Sequence, residues 1–129
     1  MALPRSNRLK HRWDFTAVYR YGKRLSTQHL YVRALGPSER PADRLQSETD
    51  KLPPARIGIS ISQKVSKRAV IRNRIKRQIR AALRHLLPRM RKGWRIVIVG
   101  RTPVVQCEYC QFLQELEQSL ADLEVIDGY

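Results

Sequence analysis

The sequence predicts a single α+β sandwich domain, and three patterns predict it. Arg56 to Ser62 alternates apolar with small side chains, the two-residue period of a strand. From Ser66 to Leu86, Ile71, Ile75, Ile79, Ala82, Leu83 and Leu86 recur at three- and four-residue spacing, and no Gly or Pro interrupts the run before Pro88. That is one helix of about five turns, with Ser66 a good N-cap. Trp94 to Arg101 then holds Ile96, Val97, Ile98 and Val99 as a continuous apolar run, as expected of a strand buried on both faces. Strand, helix and strand make a βαβ unit with the helix as crossover. A chain of 129 residues has room for one hydrophobic core.

The remaining elements follow in order. Residues 1–8 contain Pro4 and several cations without periodicity, and are expected to be a mobile basic arm. The first ten residues lack the apolar stretch of a secretory signal. From Trp13, the residues Phe15, Val18 and Tyr19 predict a short helix ending near Gly22, in which Phe15 and Tyr19 project together. A short strand is expected near Lys23 to Leu25. Gln28 to Leu35 is read as a further strand that places Tyr31 and Arg33 on one face. Residues 36–55 carry four prolines and mixed charges, and are read as a flexible insertion between strands. In Arg56 to Ser62, Ile57, Ile59 and Ile61 face one way, while Gly58, Ser60 and Ser62 leave room on the other for a nucleic-acid backbone. Pro88 to Gly93 is a basic turn. Glu108 to Leu123 is an amphipathic closing helix with Phe112, Leu113, Leu116, Leu120 and Leu123 inward and Glu115, Glu117, Asp122 and Glu124 outward.

Charge sets the class of partner. The net charge is +15, and Gln63 to Arg95 carries thirteen Lys or Arg with no Asp or Glu. Arg74, Arg77, Arg80 and Arg84, with Asn73 and Lys76, fall mainly opposite the apolar stripe of the long helix, and Arg72 sits at its edge. With no carboxylates interleaved for i,i+4 pairing, such a face repels itself unless an anion lies against it, which points to nucleic acid. Two-metal phosphodiester cleavage needs clustered carboxylates, and the basic body has none, so the polypeptide is not expected to cut RNA by itself. His11, His29 and His85 are scattered and read as solvated or RNA-facing. Cys107 and Cys110 form a lone C-x-x-C without a second pair, so packing is favoured over a zinc or redox role. Their scarcity suits a reducing, cytoplasmic setting. No apolar run reaches the length of a membrane span.

The segment Ile57-Gly58-Ile59-Ser60-Ile61-Ser62-Gln63-Lys64-Val65, then Ala69-Val70 and Arg72-Asn73-Arg74-Ile75-Lys76-Arg77, resembles the signature of the protein subunit of bacterial ribonuclease P. Leu9, Arg12, Asp14-Phe15, Val18, Tyr19 and Gly22 also fit that family's opening pattern. The resemblance implies a two-layer sandwich of order αβββαβα, with a mixed four-stranded sheet and an unusual left-handed βαβ crossover. General rules alone would make the crossover right-handed. It implies that Arg68, Arg72, Asn73, Arg74, Lys76 and Arg77 contact the catalytic RNA subunit. It implies further that Phe15, Tyr19, Tyr31, Arg33, Ser60 and Lys64 line a cleft for the single-stranded 5′ leader of precursor tRNA. Arg33 stands where the family often presents an aromatic, and would stack its guanidinium or bind phosphate instead. The Mg²⁺ ions would be held mainly by the RNA subunit, which hydrolyses the bond. Taken without the resemblance, Phe15 and Tyr19 fit a core as well as a cleft, and a ribosomal or general RNA-binding protein would share the charge and fold.

Overall fold

The computed structural model describes residues 7–36, 54–101, 109–123 and 125–126, with side chains of the last helix from 111 onward. Its elements are α1 (Arg12–Tyr21), β1 (Lys23–Ser26), β2 (Leu30–Leu35), β3 (Arg56–Ser60), α2 (Ala69–Leu86), β4 (Arg95–Gly100) and α3 (Tyr109–Asp122). The four strands form one mixed sheet in the order β1-β2-β4-β3. β2 is antiparallel to both β1 and β4, and β3 runs parallel to β4 with α2 as the connection between them. This is the predicted α+β sandwich with its element order intact.

The inner face of the sheet carries the larger core. Leu30, Val32 and Ala34 from β2, Ile96 and Ile98 from β4, and Ile57 from β3 pack there against α2 and α3. The α2 stripe supplies Ile75, Ile79, Ala82, Leu83 and Leu86, all buried, and α3 supplies Phe112, Leu116 and Leu120. Each fully buried aliphatic or aromatic side chain contributes about 1.5–3 kcal/mol. Val97 and Leu35 point to the outer face, where α1 covers them with Ala17 and Val18. β4 is therefore apolar on both sides, as its continuous run requires.

Several boundaries and contacts differ from the sequence expectation. Ser66 does not cap α2: its hydroxyl accepts the Arg68 N–H at 3.2 Å in the preceding turn, and the helix begins at Ala69. β3 ends at Ser60, because Ser62 to Val65 closes a turn through the Val65 N–H to Ser62 carbonyl bond. Asn7 and Arg8 do not belong to an arm. The Asn7 amide donates to the Ala55 carbonyl at 2.8 Å, Arg8 bridges Ile57, and Leu9 N–H donates to the Ile57 carbonyl at 3.0 Å. These bonds occupy part of the outer edge of β3, which would otherwise present unpaired donors and acceptors. After α3 the chain turns back, burying Val125 and Ile126 beside the basic turn, with Met90 bridging Ile126. Residues 1–6, 37–53 and Cys107, with the Cys110 side chain, lie outside the described residues.

Two polar residues assigned to solvent are partners, one buried and one half-buried. His29 is buried, and Glu115 meets it from α3: Oε1 accepts the His29 backbone N–H at 3.1 Å, and Oε2 lies 2.6 Å from Nδ1. Burial would push the Glu115 carboxyl up, but hydrogen bonds from Thr27 and His29 and the charge of His29 outweigh it and hold the carboxyl below its ordinary 4.5. A carboxyl depressed on folding stabilises the fold above its ordinary value, and the gain is lost as pH falls through the folded value. Glu115→Gln is therefore expected to be less stable than the parent at neutral pH, with the gap closing below pH 4.5. Urea unfolding at a series of pH values measures this, and a gap constant with pH would contradict it.

Candidate nucleic-acid interface

The pairing registers lay the outer face of the sheet out in three rows. Arg56 and Arg95 start β3 and β4 and lie level with Leu35. The middle row is Arg24, Arg33, Val97 and Gly58, and the far row is Ser26, Tyr31, Val99 and Ser60. α1 crosses this face at the near end. It is fixed there by Asp14, which is buried and pairs with Arg95 at 3.2 Å and with Arg56 at 3.8 Å. The far row is left half-buried or exposed.

Phe15 and Tyr19 leave α1 on the side of this open surface. A Cβ at position 58 would stand 2.5 Å from the Phe15 ring, so glycine is what allows the ring to lie on β3. The space that Gly58 provides is thus filled by the protein's own aromatic ring and not left for an RNA backbone; Ser60 keeps its side exposed. Phe15 is half-buried at the edge of the smaller core and also lines a pocket of about 290 Å³ with Arg8, Leu9, Ile57, Gly58, Ile59 and Arg80. Tyr19 is 44% exposed. Of this pair, Phe15 thus packs partly into the core and Tyr19 stays outside it.

Arginines lie along the tyrosines. The Arg33 guanidinium is 4.8 Å from the Tyr19 ring centroid, and Nη1 donates to the Tyr19 carbonyl at 3.3 Å. Arg24 and Arg101 lie 4.7 Å and 5.0 Å from the Tyr31 ring centroid. Arg24 comes from β1 and Arg101 from the end of β4, the two strands that flank β2, so both neighbours of the strand send a guanidinium to this ring. Each such contact is worth about 0.5–2 kcal/mol. Arg24 and Arg101 were not legible as site residues, because only the strand order brings them to one ring. Lys64 is exposed in the turn that follows β3.

α2 presents the second predicted group. Arg68, Asn73, Arg74 and Arg77 are exposed, and among the described residues no carboxylate pairs with them. Lys76 is half-buried. Arg72 is half-buried, and its Nη1 donates to the Ser66 carbonyl at 2.8 Å, bracing the loop before the helix. Val70, 79% exposed, sits at the start of this cationic helix. A recess of about 820 Å³ lies elsewhere, between the end of β1 and α3. Its lining includes Glu115, Glu117 and Asp122, the wrong sign for a polyanion. Among the described residues no three His, Cys, Asp or Glu side chains come together to hold a metal ion. None of their helices is long and apolar enough to cross a membrane.

Fold and surface together define a class: a small basic α+β domain with an aromatic and arginine-lined sheet face beside a cationic helix. The family model described as Ribonuclease P matches residues 3–124. The ribonuclease P protein component of Cyanothece sp. (strain PCC 7425) is 55% identical over 131 residues, covering 98% of this chain and 99% of that protein. The one from Nostoc punctiforme is 51% identical over 138 residues, covering 99% of each. Among solved structures, the RNase P protein of Staphylococcus aureus superposes with a TM-score of 0.74 at 25% identity, covering 94% of this chain and 98% of that one. The RNase P protein of Thermotoga maritima shares the fold, with a TM-score of 0.68 at 24% identity, covering 94% of this chain and 98% of that one. The chain belongs to the ribonuclease P protein family, whose members are the protein component of an enzyme of tRNA processing.

The Gly58–Phe15 contact yields a test. Gly58→Ala is expected to cost about 1–3 kcal/mol by displacing the ring. In a Phe15→Ala background most of that cost should vanish, since the obstacle is gone. Urea unfolding of the four proteins gives the coupling, and additive costs would show that the ring is not the obstacle.

Proposed function

We propose that this chain is the RNA-binding subunit of a ribonuclease P holoenzyme in the cytoplasm, where it grips both the catalytic RNA and the 5′ leader of precursor tRNA. The observation that carries this reading is the open far row of the sheet, where Tyr31, Val99 and Ser60 lie next to the row of Arg24 and Arg33, with Arg24 and Arg101 against the Tyr31 ring and Arg33 against Tyr19. Unpaired RNA is recognised by aromatic and guanidinium planes for bases and by cations for phosphates, and this surface supplies both. Phe15 and Lys64 extend it at its two ends. Arg68 at the start of α2 and Arg72, Asn73, Arg74, Lys76 and Arg77 along it contact the catalytic RNA, and Arg72 also braces the preceding loop. Mg²⁺ supplies the hydrolytic chemistry from sites held mainly by the RNA. The protein lowers the phosphate repulsion where two RNAs and the ions crowd together.

The deciding experiment is cleavage of precursor tRNA by a bacterial ribonuclease P RNA at low Mg²⁺, with and without the protein, on substrates with a long and a one-nucleotide leader. Activation favouring the long leader is the expected result. Activation blind to leader length removes the cleft, and no activation removes the subunit assignment. Binding of the catalytic RNA should be phosphate-dominated. Arg74→Ala with Arg77→Ala is expected to flatten the slope of log affinity against log salt by about 1.4–1.8, without changing sequence preference. An unchanged slope would take both residues out of the interface.

A further inference from the structure

Arg101 is held in an unusual way for a residue just past a strand end. Its backbone N–H donates to the His29 carbonyl at 2.9 Å, and its guanidinium Nη1 donates to the Thr27 carbonyl. Both carbonyls belong to the turn between β1 and β2. That turn is itself held from the far side of the sheet. Glu115 of α3 takes the His29 backbone N–H and the His29 ring with its two oxygens, and the Thr27 hydroxyl also bonds to it. Thr27 closes the turn on Leu30, its N–H meeting the Leu30 carbonyl at 2.7 Å and its hydroxyl receiving the Leu30 N–H at 3.0 Å. One carboxylate on the acidic helix thus fixes a turn whose carbonyls aim a cation along Tyr31, on the opposite face of the sheet.

We infer that Glu115 and His29 are positioning residues for Arg101: by holding the β1–β2 turn they set the direction in which this guanidinium meets a phosphate of the bound strand. This rests on the leader-binding reading above. A pair serving stability alone needs no link to the outer face, yet here the same two residues that Glu115 holds, Thr27 and His29, provide both carbonyls to Arg101. Fixing the guanidinium before binding removes an ordering cost that a free arginine would incur on meeting the strand. The Thr27 carbonyl takes one of the five guanidinium donors and the His29 carbonyl only the backbone N–H, so other donors remain for a bidentate phosphate contact.

The test uses the full chain reconstituted with a bacterial ribonuclease P RNA, and reads the ratio of affinities for long-leader and one-nucleotide-leader precursors. The parent must first show a preference for the long leader; if it shows none, the leader-binding reading fails and this inference falls with it. Given that preference, Glu115→Gln is expected to lower the ratio about fivefold to tenfold, the scale of one charge-assisted hydrogen bond. Arg101→Ala should lower it by a similar factor, and the double variant should fall no further than Arg101→Ala, because both changes remove one contact. His29→Asn keeps a side-chain donor towards Glu115 and should retain most of the ratio, whereas His29→Leu should lose it. This pair decides the matter if Glu115→Gln does not fold. A folded Glu115→Gln protein with the parental ratio, a double variant with multiplied losses, or equal ratios for His29→Asn and His29→Leu would each overturn the inference.

Discussion

The ion pair of Asp14 with Arg95 and Arg56 governs how much of the sheet is free to act. Asp14 is the sole acid in the first thirty-eight residues, and the structure buries it. A buried ion pair is poor evidence of net stability, since desolvating both partners offsets much of their attraction. Its strength lies in position. A carboxylate left unpaired beneath α1 would cost several kcal/mol, so the helix must sit where Asp14 reaches the two arginines that open β3 and β4. With the first turn of α1 pinned at that end, Phe15 lands on Gly58, Tyr19 projects beside Arg33, and the far row of the sheet stays uncovered.

Segregation of charge follows from the same economy of acids. The described carboxylates other than Asp14 are on α3, across the sheet from the tyrosines, and two of them are engaged there, Glu115 with His29 and Glu117 with Arg89. Removing acids from α2 sacrifices the few tenths of a kcal/mol that each i,i+4 pair would contribute. The helix tolerates this because its stability comes from the buried stripe of Ile75, Ile79, Leu83 and Leu86. The basic side can then remain unsatisfied until an anion arrives, and the acidic side does not compete for it.

What was legible in the sequence is what depends on short-range repetition. The stripe of α2, the alternation of β3, the double-sided run of β4 and the inward residues of α3 all emerge from periods set by backbone geometry. Contacts across long separations in the chain were not. Glu115 lies at the edge of the α3 stripe, and a helical pattern read alone sends it to solvent; its partner is 86 residues away. Arg72 likewise makes a contact that its own helix does not reveal, to a carbonyl of the incoming loop. Gly58 was recognised as a site of close approach, and the approaching group proved to be Phe15. Local pattern identifies that a position is special; only the assembled fold identifies its partner.

The arginine and tyrosine contacts suit an anion site better than salt bridges would. If Arg24, Arg33 and Arg101 rested on carboxylates, an incoming phosphate would have to break those pairs and leave acids beside it, a cost of several kcal/mol in a partly dry cleft. Resting instead on ring faces, the guanidiniums keep their charge uncancelled and their direction defined. The stacking plane uses the face of each guanidinium and leaves its N–H edge for oxygen atoms, so stack and phosphate contact can coexist. Tyr31 already carries two cations, Arg24 and Arg101, within 5.0 Å of its ring centroid, which leaves it less free than Tyr19. On the proposed function, Tyr19, 44% exposed with one guanidinium against it, is the ring better placed to receive a base. On that same proposal, base stacking would fall near α1 and phosphate binding towards the β1–β2 turn.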